Sequence, residues 1–145
     1  MKNITYKIVQ WSTPEELYSE CLEWASQLKF IKDEQRFLDN LIKEYTVSLI
    51  SEDAYNDSLK LVGELNTEEK ELSKLFKRVK DHTNSIEVLL DATADERKGA
   101  AYREIHYYLK VDVFTYAKKY RETKTALFKK IKKLMKNEKR CHLLK

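Results

Sequence analysis

Apolar residues recur along most of this chain in steps of three and four. The first row reads Leu17, Cys21, Trp24, Leu28, Ile31, Gln35, Leu38, Ile42, Tyr45 and Leu49. A period near 3.5 residues held this long predicts a helix with a coiled-coil-like seam. Its start is marked by Ser12-Thr13-Pro14-Glu15-Glu16. A hydroxyl residue caps the first turn, Pro14 has no N–H to waste there, and the two acids face the positive end of the helix dipole. After a turn at Ser51-Glu52-Asp53, a second row runs through Tyr55, Ser58, Val62, Leu65, Glu69, Leu72, Phe76, Val79, Thr83, Ile86 and Leu90. Gly63 and the cap-like Asn66-Thr67-Glu68-Glu69 fall inside it, so this helix is expected to kink or break near 63–67. A turn at residues 91–95 precedes the third row: Tyr102, Ile105, Leu109, Val113, Tyr116, Tyr120, Thr123, Leu127, Ile131 and Leu134.

Residues 1–11 alternate loosely and read as an extended arm or a frayed terminus. The expected layout is one domain over 1–145, with an arm at 1–11, helices at 13–51, 53–91 and 94–140, and a tail at 141–145. Short connections make consecutive helices antiparallel neighbours. The fold class is therefore all-α, an elongated antiparallel three-helix bundle.

Composition strengthens this picture. The chain has two glycines and one proline in 145 residues, against roughly 7% and 5% in average usage. Few breakers mean few turns. Hydrophobic residues make up 42% and charged residues 36%, too apolar for a disordered chain and too charged for a membrane protein. No apolar run approaches the ~20 residues that span a bilayer. The first residues lack a signal-peptide pattern, so a cytoplasmic location is expected. Cys21 and Cys141 form no spaced disulfide framework.

Two hairpins closing near 52 and 93 set a register. Gln35 then faces Glu69, level with Asp112 and Tyr116. Such a polar layer has two readings. It is a register device that penalises slipped alignments, or a ligand or ion site with Glu69 and Asp112 as its carboxylates. The same register brings His82 level with Cys21 and Glu23 on the first helix and with Tyr102 and His106 on the third. Thiol, imidazole and carboxylate can bind zinc or another transition metal; the alternative is a pair of ordinary flanking histidines. Glu-x-x-His, the inward-facing spacing of di-iron bundles, does not occur. Nor does a Gly-rich phosphate loop, Gly-x-Ser-x-Gly or His-Glu-x-x-His. A non-enzymatic protein without a cofactor is expected.

Charge is divided unevenly. Residues 118–140 carry eleven Lys and Arg against Glu122 and Glu138, while residues 1–117 are net acidic. Leu127, Phe128, Ile131, Leu134 and Met135 fall on one face there, and lysines cover the others. The last turns are expected to overhang the bundle, giving an interaction surface of Lys129, Lys130, Lys132, Lys133, Leu134 and Met135. The leading function is a protein-interaction module, self-associating in one version. The alternatives are a small-ligand or metal-binding bundle, and association with nucleic acid or an anionic membrane surface.

The stretch from Trp24 to Leu38, WASQLKFIKDEQRFL, resembles the first helix of a group of small uncharacterised bacterial helical-bundle proteins with the pattern W-x-x-E-L-x-F-x-K-x-E-L-x-F-L. The spacing of Leu72, Leu75, Val79 and His82 is similar to that group's second helix. Gln27 stands where the pattern has Glu, and Gln35 where it has Leu. The resemblance implies a helical bundle with one continuous second helix through Asn66, and it implies no activity.

Overall fold

The computed structural model describes residues 4–45, 55–95, 97 and 101–144, with side chains at 7–45, 59–95, 97 and 101–136. Four helices account for most of them: α1 (Ile4–Trp11), α2 (Pro14–Glu44), α3 (Tyr55–Leu90) and α4 (Ala101–Leu144). No strand occurs among the described residues. None of the described helices is long and apolar enough to cross a membrane. The expected turn at 51–53 and the end of the first helix at 46–51 lie outside the described residues, as does the side chain of Cys141.

Residues 4–11 form a helix, not an extended arm. Eight residues are too few to hold a helix in water on propensity alone. Here α1 packs against α4, and Val9 is buried at 1% exposure. Its end is tied down twice. The Ser12 hydroxyl donates to the Ile8 carbonyl at 2.6 Å, and the Arg103 guanidinium donates to the Ser12 carbonyl at 3.2 Å.

At the start of α2, Thr13 is extended (φ −78°, ψ 158°) and makes a reciprocal capping box with Glu16. The Thr13 hydroxyl accepts from the Glu16 N–H at 3.2 Å, and the Glu16 carboxylate accepts from the Thr13 N–H at 3.3 Å. Two donors that the helix cannot satisfy are thereby satisfied, and Pro14 removes a third.

No break interrupts α3 at 63–67. Thr67 donates its hydroxyl back to the Gly63 carbonyl at 3.0 Å instead of capping a new helix. Gly63 is exposed, with open space around its Cα, so it costs helix propensity and nothing in packing. The buried row differs from the expected one. It runs Leu65, Glu68, Leu72, Leu75, Val79, His82 and Ile86. Every second member agrees with the expected row, but Glu68, Leu75 and His82 replace Glu69, Phe76 and Thr83. The reason is that α3 packs on both α2 and α4. A helix with two neighbours buries a stripe wider than a two-stranded seam.

The third long helix begins at Ala101, not 94, and continues to Leu144. Arg97 is held outside it. Its guanidinium donates to the Leu89 and Leu90 carbonyls at 3.1 and 2.5 Å and to Glu15 at 3.0 Å, while its own carbonyl accepts from the Tyr102 hydroxyl at 2.6 Å. One side chain thus satisfies carbonyls at the end of α3 and pairs with an acid at the start of α2. Along α4, Ile105 is exposed and His106 takes the buried position.

Side-chain pairs join the long helices. Glu20 meets Lys110 and Glu34 meets Lys124 between α2 and α4. Glu68 meets Thr123 and Arg78 meets Asp112 between α3 and α4.

Thr13→Ala removes half of the capping box. It is expected to cost about 1 kcal/mol, read in thermal unfolding as a fall in Tm of roughly 2–4 °C. An unchanged Tm would mean that Pro14 and the acids hold the helix start without the cap.

Candidate functional site

Cys21, His82 and His106 come together between the three long helices, one from each. Their donor atoms all lie within 4.8 Å of one another, and all three residues are buried. His106 is the centre. Its Nε2 lies 2.7 Å from a carboxylate oxygen of Glu20, which accepts and so places a proton on Nε2. The other ring nitrogen, Nδ1, faces His82 Nε2 at 2.9 Å and Cys21 Sγ at 3.9 Å. The second oxygen of Glu20 accepts from Lys110 at 2.9 Å. Trp24 covers the His106 ring with 4.5 Å between centroids.

Burial and neighbours set the charges. Burial, with the electrostatic effect of the neighbouring His106 ring added, pulls His82 down to about 4. Burial pushes the Cys21 thiol up to about 11. Burial also pushes the Glu20 carboxyl up, but the bonds from His106 and Lys110 outweigh it and hold that group below its usual range. At neutral pH the cluster therefore holds a thiol, a neutral His82 and a carboxylate. Glu20 and Lys110 were not anticipated from the sequence. The available signal was spacing: Glu20 precedes Cys21, and Lys110 stands one turn beyond His106.

The expected polar layer divides into three places. Gln35 and Tyr116 meet in the core, with the amide donating to the Tyr116 hydroxyl at 2.9 Å. That hydroxyl donates in turn to the Glu68 carbonyl at 2.7 Å. The third member from α3 is thus Glu68, not Glu69. Glu68 is fully buried; Thr123 donates to one carboxyl oxygen at 2.6 Å, and the other oxygen has no partner. Burial raises its pKa against the bond from Thr123. Asp112 lies outside the layer, paired at 2.8 Å with Arg78 where both side chains are about half exposed. It falls on the α3-facing edge of α4, where an arginine reaches it from the surface. Glu69 instead lines an open groove of ≈ 450 Å³ between α2 and α3, with Lys32, Arg36, Asp39 and Phe76.

On α4, Lys129, Lys132, Lys133 and Met135 are exposed and Lys130 is half-buried, but Leu134 is buried at 3% exposure. Leu134 therefore belongs to the core and not to an exposed overhang. It follows Leu127 and Ile131 on the inward face. The outward face carries a second row in steps of three and four: Val111, Phe114, Lys118, Arg121, Thr125, Phe128, Lys132 and Met135, all exposed. A shallow hollow of ≈ 430 Å³ lies at its middle, beside Lys118, Arg121, Thr125 and Lys129. Among the described residues no ion pair engages Lys118, Arg121, Lys129, Lys132, Lys133 or Lys136, whereas Lys119 and Lys124 reach Glu71 and Glu34.

Glu69 supplies a pH test. Burial, with the hydrogen bond and charge of Asp39, raises its pKa from 4.5 to about 7. The folded chain then holds a proton that the unfolded chain has released. Its contribution to stability should be greatest below pH 4.5, fall as pH rises towards 7, and level off above, opposite in sign to the contribution of His82. Glu69→Gln can donate to Asp39 at any pH. It is expected to flatten that slope and raise stability at pH 8 by on the order of 1 kcal/mol, measured by urea unfolding from pH 4.5 to 8. A slope unchanged in the variant would assign the effect to another group.

No protein-family model, curated protein or solved structure matches this chain.

Proposed function

We propose that α2, α3 and α4 form an antiparallel three-helix bundle, with α1 laid on α4, and that the protein is a non-enzymatic interaction module whose outer α4 face docks an acidic helical partner. The pairs Glu20–Lys110, Glu34–Lys124 and Glu68–Thr123 support that arrangement of helices. The observation that carries the function is the outward row on α4. Its members recur with the period of a helix-packing seam, yet they face solvent. Apolar members stand at both ends, Val111 and Phe114 at one and Phe128 and Met135 at the other, with Lys118 and Arg121 between them and Lys132 beside Met135.

This pattern suits a partner helix laid along α4. Apolar side chains at both ends would bury Phe114, Phe128 and Met135, and acids between them would meet the unpaired cations. Methionine adapts readily to such a surface. A second copy of the same face is a poor occupant, because Lys118, Arg121 and Lys132 would meet like charges. A bare phosphate backbone would use the cations and leave the aromatic and aliphatic members exposed, so a protein is favoured over nucleic acid.

The test uses a labelled helical peptide with leucines spaced to meet positions 111, 114, 128 and 135 and glutamates spaced to meet 118, 121 and 132. Fluorescence anisotropy should show binding that weakens with salt. The triple variant Lys118→Glu, Arg121→Glu, Lys132→Glu should bind at least ~10-fold less tightly, a change of about 1.4 kcal/mol. No binding, equal binding by the triple variant, or preference for duplex DNA or anionic vesicles over the peptide would overturn the proposal.

A further inference from the structure

We infer that Cys21, His82 and His106 form a binding site for one transition-metal ion of the zinc class, which clamps the three long helices together. The inference is independent of the docking face, whose row of residues starts at Val111. It rests on donor chemistry, convergence and the arrangement around the donors.

The donor chemistry is selective. One sulfur and two imidazole nitrogens suit zinc and similar borderline ions, and do not suit calcium or magnesium, which take oxygen ligands. The separations are close to what an ion needs. With metal–nitrogen distances of about 2.0 Å and metal–sulfur distances of about 2.3 Å, donors around a tetrahedral ion lie roughly 3.3–3.6 Å apart. Here the two nitrogens are 2.9 Å apart, and sulfur is 3.9 Å from His106 Nδ1. The third pair, Cys21 and His82, lies within 4.8 Å and must close by about an ångström to admit the ion.

The local hydrogen bonding leaves a conflict that a cation resolves. Glu20 holds the proton on His106 Nε2, so Nδ1 carries a single lone pair. Both the His82 N–H and the Cys21 S–H compete for it. An ion at that point takes the lone pair of Nδ1 and one from each of the other two donors. Binding releases the Cys21 thiol proton to solvent and moves the His82 ring proton from Nε2 to Nδ1. No oxidation or reduction is involved.

The surroundings match those of a metal site. A carboxylate on the far nitrogen of a ligating histidine fixes its tautomer and increases its basicity. Glu20 does this for His106, and Lys110 holds Glu20 in place. Trp24 and Tyr102, both buried, lie on the neighbouring turns of α2 and α4. Three protein donors leave one position of a tetrahedral ion to a water or small ligand. The donors come from positions far apart in the chain, so the ion closes long loops that only packing would otherwise hold.

The full chain is stripped with chelator and titrated with zinc alone against a chromophoric chelator, and separately with cobalt(II), whose thiolate charge-transfer band reports a sulfur ligand. The expected result is one equivalent per chain, the cobalt band, and a Tm that rises with zinc concentration. Glu20→Gln should keep one equivalent but bind 10–100-fold more weakly, while His82→Gln and Cys21→Ser should lose the site. Circular dichroism establishes that each variant is folded. If either core variant fails to fold, the wild-type cobalt spectrum and Glu20→Gln decide. Folded wild-type protein that takes up no zinc at micromolar concentrations, binding without the cobalt–thiolate band, or zinc affinity unchanged in Glu20→Gln would overturn the inference.

Discussion

The Tyr116 hydroxyl joins three helices at one buried point, accepting from Gln35 of α2 and donating to the Glu68 carbonyl of α3. The alignment of the long helices depends heavily on this contact. Seams of leucine, isoleucine and valine are nearly self-similar. A slip of one heptad, about 10 Å along the axis, sets apolar residues against apolar residues again. The polar groups do not tolerate such a slip. Moved by a turn, the Gln35 amide and the Tyr116 hydroxyl would be stranded in an apolar core, at roughly 1–3 kcal/mol for each unsatisfied group. The contact therefore adds less to the depth of the folded state than to its uniqueness.

Other polar contacts depend on the same alignment. At the level of Tyr116 and Tyr120, Thr123 reaches Glu68 and the Tyr120 hydroxyl donates to Glu34 at 2.7 Å. About four turns away along α2, Glu20 meets both His106 and Lys110. At the end where α2 begins, Arg97 joins Glu15 to the last carbonyls of α3. These contacts lie at different levels along α2, so one register satisfies them all. A buried cluster of two histidines and a thiol would be costly if its members missed one another. It persists because the alignment brings them together while Glu20 takes up the outward nitrogen of His106.

Much of this was legible in the sequence, and the failures share a cause. The first row placed Leu17, Cys21, Trp24, Leu28, Ile31, Gln35 and Leu38 where they are buried, because six apolar positions and one polar one in strict 3–4 steps leave little freedom. The second row misplaced Glu69, Phe76 and Thr83 relative to Glu68, Leu75 and His82. A single seam has one line of contact, whereas α3 faces two partners along adjacent lines, and periodicity does not tell which partner a residue meets. Glu68 was missed for a further reason: a carboxyl with no apolar character gives no sign of burial, and only the facing Thr123 explains it. The helix at residues 4–11 was hidden because its stability comes from α4, not from its own eight residues.

The two faces of α4 explain why one helix can take part in both proposals. Inward, its lysines are committed: Lys110 braces Glu20, Lys124 reaches Glu34, and Lys119 approaches Glu71. These pairs match the acidic character of the preceding helices and need no further partner. Outward, Lys118, Arg121, Lys129, Lys132, Lys133 and Lys136 have no ion-pair partner among the described residues. Moving those cations inward would bury charge without partners. Leaving them outward, interleaved with Phe114, Phe128 and Met135, costs solubility of the apolar members unless something covers them. An acidic chain resolves both demands together, and the bundle beneath it needs only a fixed register to present the row in line. A clamp at Cys21, His82 and His106 would strengthen that register in the part of α4 that precedes the row.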